Sequence, residues 1–581
     1  MKTHLRNQTP LDARFKNERQ KMATAALLVA VTQASIAAFA DVSELTYLKP
    51  AEPKVNLGFG DMIAMSGNVA IVATENAESF RGRAYILEAS SEGSDWRRTV
   101  TLAADPQNDG GNFDFDAFGS SVAISGSTIV VGCPGDDSNG DPADISLSAS
   151  GADYVFVRVG ENWQQQAYLK ASEPVFNAAF GSAVAIADDI LAVGTGEFYE
   201  VDGVERRGRV HMFQRKDSEW AQIQVLDSPY PDSGTQFAKT LALEGDTLVV
   251  GVPSDGSDAR GIGGDPANAN AVRSGAVWIY HNVDGNWMQE AYIKASNAHS
   301  RADFGASIAI SENRIVVGSP TEKSRGVGVN GDESPDEISP LDYGAAYVFI
   351  RTETGWQQQA YLKAPEHNHV TGTFTDDRFG ASVAISANTV LIGADADDNP
   401  SRGINGDLNG VGAIESGAAH LFRFTPDSGW AYSDFIKASN ADRQDGFGRA
   451  VAMSGAYALV GAPGESSGSN FITPEDNSIQ SAGAIYVYSV GSSGVEVIPE
   501  GKLKIETIAF RSTALDGNIA VSATISGPPN SEIVVEGSHD LIGEERWKEI
   551  TMTITDESGR GSVEGSIEAA TGQFYVRLRV E

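Results

Sequence analysis

The chain has 581 residues, with 43 Lys+Arg against 78 Asp+Glu, a net charge of −35 and 41% hydrophobic residues. This is globular composition at the length of several domains, and a surface so acidic repels phosphate backbones, which excludes nucleic acid as a partner. One cysteine, Cys133, excludes an intramolecular disulfide framework and any multi-cysteine zinc site.

The first 40 residues differ from the rest. Lys2, Arg6, Arg14, Lys16, Arg19 and Lys21 are opposed only by Asp12 and Glu18, Met22 to Ala37 are mostly apolar or small, and Ala38-Phe39-Ala40 precedes Asp41. Residues 1–40 therefore read as a secretory signal with an A-x-A cleavage site. Thr24, Thr32, Gln33 and Ser35 interrupt a run shorter than the ~20 apolar residues a membrane span needs. The expectation is a secreted or cell-surface protein with no membrane insertion after cleavage.

From residue 41 to 490 one unit recurs. Phe-Gly stands at Phe59-Gly60, Phe118-Gly119, Phe180-Gly181, Phe304-Gly305, Phe379-Gly380 and Phe447-Gly448, and Phe237-Ala238 is a degenerate seventh copy. Each copy carries four short apolar runs, as in Val122-Ala-Ile124, Ile129-Val-Val131, Gly151-Ala-Asp-Tyr-Val-Phe156 and Trp163-Gln-Gln-Gln-Ala-Tyr-Leu-Lys170. Such runs, β-branched or aromatic and bounded by turn residues, are strands. Seven copies of four antiparallel strands predict an all-β, seven-bladed β-propeller. The seventh copy ends after its third run, Ala484-Ile-Tyr-Val-Tyr488, and a lone outer-strand run, Leu45-Thr-Tyr-Leu-Lys49, precedes the first. The N-terminal strand is thus expected to close the ring, which removes both sheet edges.

Phe-Gly, then Val-Ala-Ile, then Gly-x-Pro resembles the FG-GAP repeat of integrin α-subunit propellers and bacterial secreted relatives. The second half stands as Gly461-Ala-Pro463, varied to Gly132-Cys-Pro134, Gly251-Val-Pro253 and Gly318-Ser-Pro320, drifted to Gly194-Thr-Gly196 and Gly393-Ala-Asp395, and lost at Val72-Ala-Thr74. The resemblance implies adhesion or ligand binding. The family's calcium loops, between the Phe-Gly and Gly-Ala-Pro strands, are not carried over. Tight turns such as Ser66-Gly-Asn68 and Ser125-Gly-Ser127 stand there instead.

Antiparallel blades send the first and third turns to one face and the second loops, with the crossovers, to the other. The second loops are long in copies two and four to seven. Over 134–150, 253–274, 320–344, 394–416 and 463–482 they hold 21 acidic and 5 basic residues, a net of −16. Long loops on one face of a rigid scaffold carry binding. The submotifs Gly261-Ile-Gly-Gly-Asp265, Gly328-Val-Asn-Gly-Asp332 and Gly403-Ile-Asn-Gly-Asp407 each present an aspartate from a tight turn. Two readings follow. In one, calcium or another hard cation sits among Asp136, Asp137 and Asp141, or among Asp395, Asp397, Asp398 and Asp407. In the plainer and preferred one, these are turn aspartates that accept from their own backbone.

No P-loop or His-Glu-x-x-His helix is present. His211, His281 and His420 belong to third strands and read as packing residues. His367-Asn-His369, with Asp376-Asp377 after it, has donors for a transition metal but reads first as an exposed loop. Residues 491–500 form a linker, and 501–581 alternate in about six short strands, as in a small immunoglobulin-like β-sandwich. Ile533-Val-Val-Glu-Gly-Ser-His-Asp540-Leu541, then Trp547, then Phe574-Tyr575 resembles a C-terminal module of large bacterial secreted proteins. The leading functional reading is a non-enzymatic binding or adhesion protein for an extracellular protein or glycan. The alternatives are a polysaccharide hydrolase or lyase with perturbed carboxylates at the channel mouth, and a passive scaffold.

Overall fold

The computed structural model describes residues 42–491 apart from 78–79, 91–94, 105–115, 143, 197, 202–203, 231–235, 337–338, 340, 367–375 and 469–476, and beyond them the backbone of six strands between 504 and 580. The expected leader (1–40), the linker beyond residue 491 and the pair His367 and His369 lie outside the described residues. The chain divides into two compact units, Met1–Ser493 and Gly494–Glu581.

The first unit is a ring of seven four-stranded antiparallel sheets. From the channel outward, blade one comprises Met62–Ser66, Val69–Thr74, Arg83–Ala89 and Trp96–Leu102, and blade two Ser121–Ser125, Thr128–Cys133, Ala152–Val159 and Asn162–Leu169. Blade three is Ala183–Ala187, Ile190–Gly194, Arg209–Lys216 and Glu219–Asp227; blade four is Thr240–Glu244, Thr247–Val252, Ala276–Val283 and Asn286–Ile293. Blade five is Ser307–Ser311, Arg314–Ser319, Ala345–Thr352 and Gly355–Leu362; blade six is Phe379–Ser386, Thr389–Ala394, Ala418–Thr425 and Gly429–Ile436. Blade seven is Val451–Ser454, Tyr457–Ala462 and Ala484–Ser489, completed by Ser43–Leu48.

Burial explains the composition of each strand. The second strands are buried at every residue in blades one, two, five and six and at all but the first residue in the other three, because both faces meet a neighbouring blade. The outer strands alternate, as Trp96–Leu102 does, because one face meets water. Each Phe-Gly phenylalanine is buried and lies edge-on or tilted against an aromatic of its own third strand. Phe118 meets Tyr154 at 5.4 Å, Phe304 meets Tyr347 at 5.2 Å and Phe379 meets His420 at 5.3 Å between ring centroids.

The two halves of the repeat motif form one contact between neighbours. A Cβ on Gly132 of blade two would stand 2.1 Å from the carbonyl oxygen of Gly181 in blade three, and one on Gly461 of blade seven 2.0 Å from that of Gly60 in blade one. Only glycine lets the backbones approach so closely. Register also corrects the motif in blade one. Ala73 pairs with Ala84 as Gly132 pairs with Asp153, so Ala73-Thr74-Glu75 is the equivalent triplet, one residue later than the sequence suggested.

The ring closes through the N-terminus as expected, with Ser43 paired to Ser489 and Leu48 to Ile485. A second tie runs around the short-turn face. Serines ending the inner strands accept an N–H from the next blade's turn: Ser66 from Gly126 at 3.1 Å, Ser125 from Asp188 at 3.0 Å, Ser311 from Ala387 at 3.1 Å, Ser386 from Gly455 at 3.1 Å and, across the closure, Ser454 from Gly67 at 2.8 Å.

In the second unit, six strands form two three-stranded antiparallel sheets. Lys504–Ser512, Asn518–Ser526 and Arg560–Glu568 make one; Lys548–Thr553, Glu532–Ser538 and Tyr575–Val580 make the other.

Candidate functional site

The long second loops and the crossovers gather on one face, opposite the tight turns. In blades four to six the long loop folds down onto its own outer strand. Antiparallel bridges join Ile262 to Ile293, Val329 to Leu362 and Ile404 to Ile436, and the Asn405 N–H donates to the Phe435 carbonyl at 2.7 Å. The recurrent Gly-x-x-Gly-Asp is therefore a short edge pairing followed by a turn that covers the outer edge of the blade. Its aspartates accept from the backbone two residues on: Asp265 from Ala267 at 2.9 Å, Asp332 from Ser334 at 2.9 Å and Asp407 from Asn409 at 3.0 Å. In blade three a hairpin, Phe198–Val201 with Val204–Arg207, takes the place of the long loop.

The candidate ligating aspartates are placed as follows. In blade two, Asp136 accepts from Lys170 Nζ at 3.0 Å and Tyr168 OH at 2.9 Å, Asp137 accepts from the Ala149 N–H at 2.8 Å, and Asp141 is exposed in a turn. In blade six, Asp397 accepts from Lys437 Nζ at 3.1 Å, Asp398 from the Glu415 N–H at 2.9 Å, and Asp395 from Arg378 at 3.1 Å and Arg449 at 3.0 Å. Asp407 stands apart in its exposed turn. Among the described residues no three His, Cys, Asp or Glu side chains gather where they could hold a metal.

What recurs instead is a buried ion pair. After each Gly-x-Pro or its variant, five blades bury a carboxylate, and the residue that follows the outer strand is a lysine reaching back to it. The pairs are Asp136–Lys170 at 3.0 Å, Asp255–Lys294 at 2.9 Å, Glu322–Lys363 at 2.9 Å, Asp397–Lys437 at 3.1 Å and Glu465–Lys49. Each of these side chains is at most 7% exposed. A tyrosine hydroxyl from the outer strand joins in blades two, four and five, and the backbone N–H two residues after the acid donates to it in all five. The lysine also donates to a serine before the third strand, at 2.6 Å from Ser150, 2.7 Å from Ser274 and 2.7 Å from Ser416. Burial lowers the pKa of Lys170, Lys294, Lys363 and Lys437, and the facing carboxylate opposes that. The ammonium occupies the place in the acid's coordination sphere that a cation would take. Sequence reading missed this network. Its signal in blades two and four to six was Tyr-x-Lys or Phe-x-Lys ending an outer strand 34 to 41 residues after an acid that follows Gly-x-Pro or its variant.

At the loop-face end of the inner strands, Arg449 of blade seven reaches Asp395 of blade six at 3.0 Å and Asp61 of blade one at 3.5 Å. Burial raises the Asp61 pKa, and Arg449 opposes the rise. These ions clamp the blades on either side of the closure. His211 and His420 pack against Phe180 and Phe379, and burial lowers each to about 4, so both are neutral packing residues as expected. Cys133 is a buried free thiol whose pKa burial raises.

Burial also pushes the Asp445 carboxyl up to about 8, against the lowering effect of the Asp442 N–H, which donates to it at 2.7 Å. Because the folded value lies above the unfolded one near 4, the folded chain holds a proton that the unfolded chain releases. This contribution to stability is complete below about pH 4 and is lost as pH rises to about 8. The urea midpoint should therefore fall across that window, and Asp445→Asn should flatten the fall. An unchanged slope in the variant would refute the assignment.

Five stretches match the FG-GAP repeat: 96–156, 163–213, 287–349, 356–422 and 430–488, together more than half of the chain. Each begins at an outer-strand tryptophan and ends in the third strand of the next blade, so the repeat is offset from the blade by one strand. No curated protein matches the chain. Among solved structures, Sqt1 of Saccharomyces cerevisiae is 10% identical with a TM-score of 0.37, covering 83% of this chain and 95% of that one. Sqt1 of Chaetomium thermophilum is 11% identical at 0.36, covering 83% and 96%. An acylaminoacyl peptidase of Pyrococcus horikoshii is 11% identical at 0.35, covering 80% and 57%.

Proposed function

The chain belongs to the FG-GAP repeat family, and on that premise we propose that it is an exported, non-enzymatic binding protein that engages an extracellular protein or glycan by the long-loop face of its propeller. The observation that carries this reading is where large apolar side chains meet water. Among the described residues sixteen are exposed, and eleven of them stand on the loops of that face, including Val55 at 62%, Phe80 at 46%, Phe176 at 68% and Val272 at 62%. Apolar tips on an acidic, rigid face are the composition of a contact surface. No helix among the described residues is long and apolar enough to cross a membrane.

The test is binding of the protein to a glycan array and to a panel of extracellular proteins, comparing Phe176→Ser/Val272→Ser with a control on the opposite face, Val159→Ser/Val283→Ser. A loop-face loss of about tenfold or more with an unchanged control supports the reading. The reverse pattern refutes it.

Cation independence belongs to the same proposal. The candidate aspartates are engaged by lysine, arginine and backbone N–H donors, so adding calcium is expected to leave the melting temperature where EDTA leaves it. A calcium-dependent rise would show that ions displace those donors, since a ligand of the native state stabilises it by mass action.

A further inference from the structure

The buried lysine pairs differ in their acid. Blades two, four and six use Asp136, Asp255 and Asp397, whereas blades five and seven use Glu322 and Glu465. The two glutamate blades are entered through the crossovers Lys294-Ala-Ser-Asn297 and Lys437-Ala-Ser-Asn440. In each, the longer acid reaches back to the asparagine.

Four side chains meet in blade seven. Lys49 Nζ donates to Glu465 Oε2, Asn440 Nδ2 donates to Glu465 Oε1 at 3.1 Å, and Tyr486 OH donates to Asn440 Oδ1 at 2.5 Å. The Lys49 side chain and Tyr486 are fully buried, Asn440 is 3% exposed, and the rings of Tyr47 and Tyr486 stand together at 5.2 Å. An amine, a carboxamide, a carboxyl bonded to both and a hydroxyl on the carboxamide oxygen are the parts that an amide exchange needs. The attacking and leaving nitrogens lie side by side on a tetrahedral carbon, as the two oxygens of one carboxyl do. One oxygen of Glu465 therefore takes a proton from the attacking nitrogen while the other delivers one to the nitrogen that leaves. Tyr486 OH faces the oxygen on which negative charge develops. Burial favours a neutral amine and a neutral acid over the two ions, so one proton passed from Nζ to Glu465 yields the nucleophile.

We propose that Lys49 and Asn440 join in an intramolecular isopeptide bond, for which the buried ion pair is the starting arrangement. Lys49 Nζ bonds to Asn440 Cγ, the Cγ–Nδ2 bond breaks, and Nδ2 departs with the relayed protons. Lysine ammonium plus carboxamide gives a secondary amide plus free ammonium, and Glu465 ends with the charge it began with. Lys49 follows the closing strand Ser43–Leu48, and Asn440 lies between the outer strand of blade six and the inner strand of blade seven. The bond thus locks the ring closure covalently in a chain whose one cysteine cannot form an internal disulfide. Blade five repeats the set with Tyr347, Asn297, Glu322 and Lys363. There Asn297 Nδ2 also donates to the Glu333 carbonyl at 2.9 Å, so expelling that nitrogen breaks two hydrogen bonds, and the pair stays ionic. The proposal stands independently of the loop-face reading, since its readout is a mass and not a partner.

The test is mass spectrometry of the folded full chain, intact and after trypsin. The expected result is a mass about 17 Da below that of the sequence, one ammonia, with a branched peptide joining Lys49 to Asn440. Lys49→Arg keeps the cation and should abolish the branch, and Glu465→Gln should slow its formation about a hundredfold or more, with a cooperative melt as the folding control. The full sequence mass in the folded parent overturns the proposal. So does a deficit without the branched peptide, as an asparagine cyclising on its own backbone would give, or a branch at Lys363 and Asn297 in its place. Formation at the parent's rate in Glu465→Gln overturns the assigned relay.

Discussion

Replacing Lys363 by methionine is expected to lower the stability of the propeller by about 3–5 kcal/mol, because it leaves a buried carboxylate without its cation. Lys363 is fully buried, and the Glu322 side chain is 1% exposed. The acid keeps Tyr361 OH at 3.1 Å, Asn297 Nδ2 at 2.9 Å and the Ser324 N–H at 2.8 Å, which are dipoles and not a compensating charge. The double variant Lys363→Met/Glu322→Gln removes both charges at nearly constant volume and should recover most of the loss. Urea unfolding followed by tryptophan fluorescence measures both. If the single variant lies within about 0.5 kcal/mol of the parent, the pair does not carry the charge balance argued for it.

Removing the closing strand has the other large effect. A chain beginning at Pro50 lacks Ser43–Leu48 and also Lys49. It exposes the edge of Ala484–Ser489, uncovers Tyr486 and Tyr488, and leaves Glu465 without its ammonium. An unpaired, apolar strand edge templates association. The expected outcome is aggregation or a broad, early melt, whereas a chain beginning at Val42 elutes as a single species and melts cooperatively. Size-exclusion chromatography with a thermal melt decides it. Equal behaviour of the two chains would mean that ring closure adds nothing to stability.

The blades could be read from the residues alone because their signals are local and repeat. A strand announces itself through β-branched and aromatic runs between turn residues, and seven registers of the same pattern leave no ambiguity of period. Even the closure was readable, as a missing fourth run at one end and a spare one at the other, Leu45 to Lys49. The triplet in blade one was misplaced by one residue because Ala73 replaces the glycine that marks it elsewhere.

The loops show the opposite case. A count of charges in 394–416 reveals many aspartates but not the donors they face. Asp397 and Lys437 are 40 residues apart and meet only because the outer strand returns to the loop end of its own blade. An acidic loop awaiting a cation and an acidic loop already holding one have the same local sequence.

Composition, period and turn chemistry were thus sufficient for the class of fold, the number of blades and the face that bears the long loops, since each depends on interactions within a few residues or on repetition. Which carboxylates are neutralised, which loops fold down onto a strand edge and where a cleft opens depend on side chains brought together from distant positions. The chain's register and close packing set those contacts, and residue identities taken one stretch at a time do not contain them.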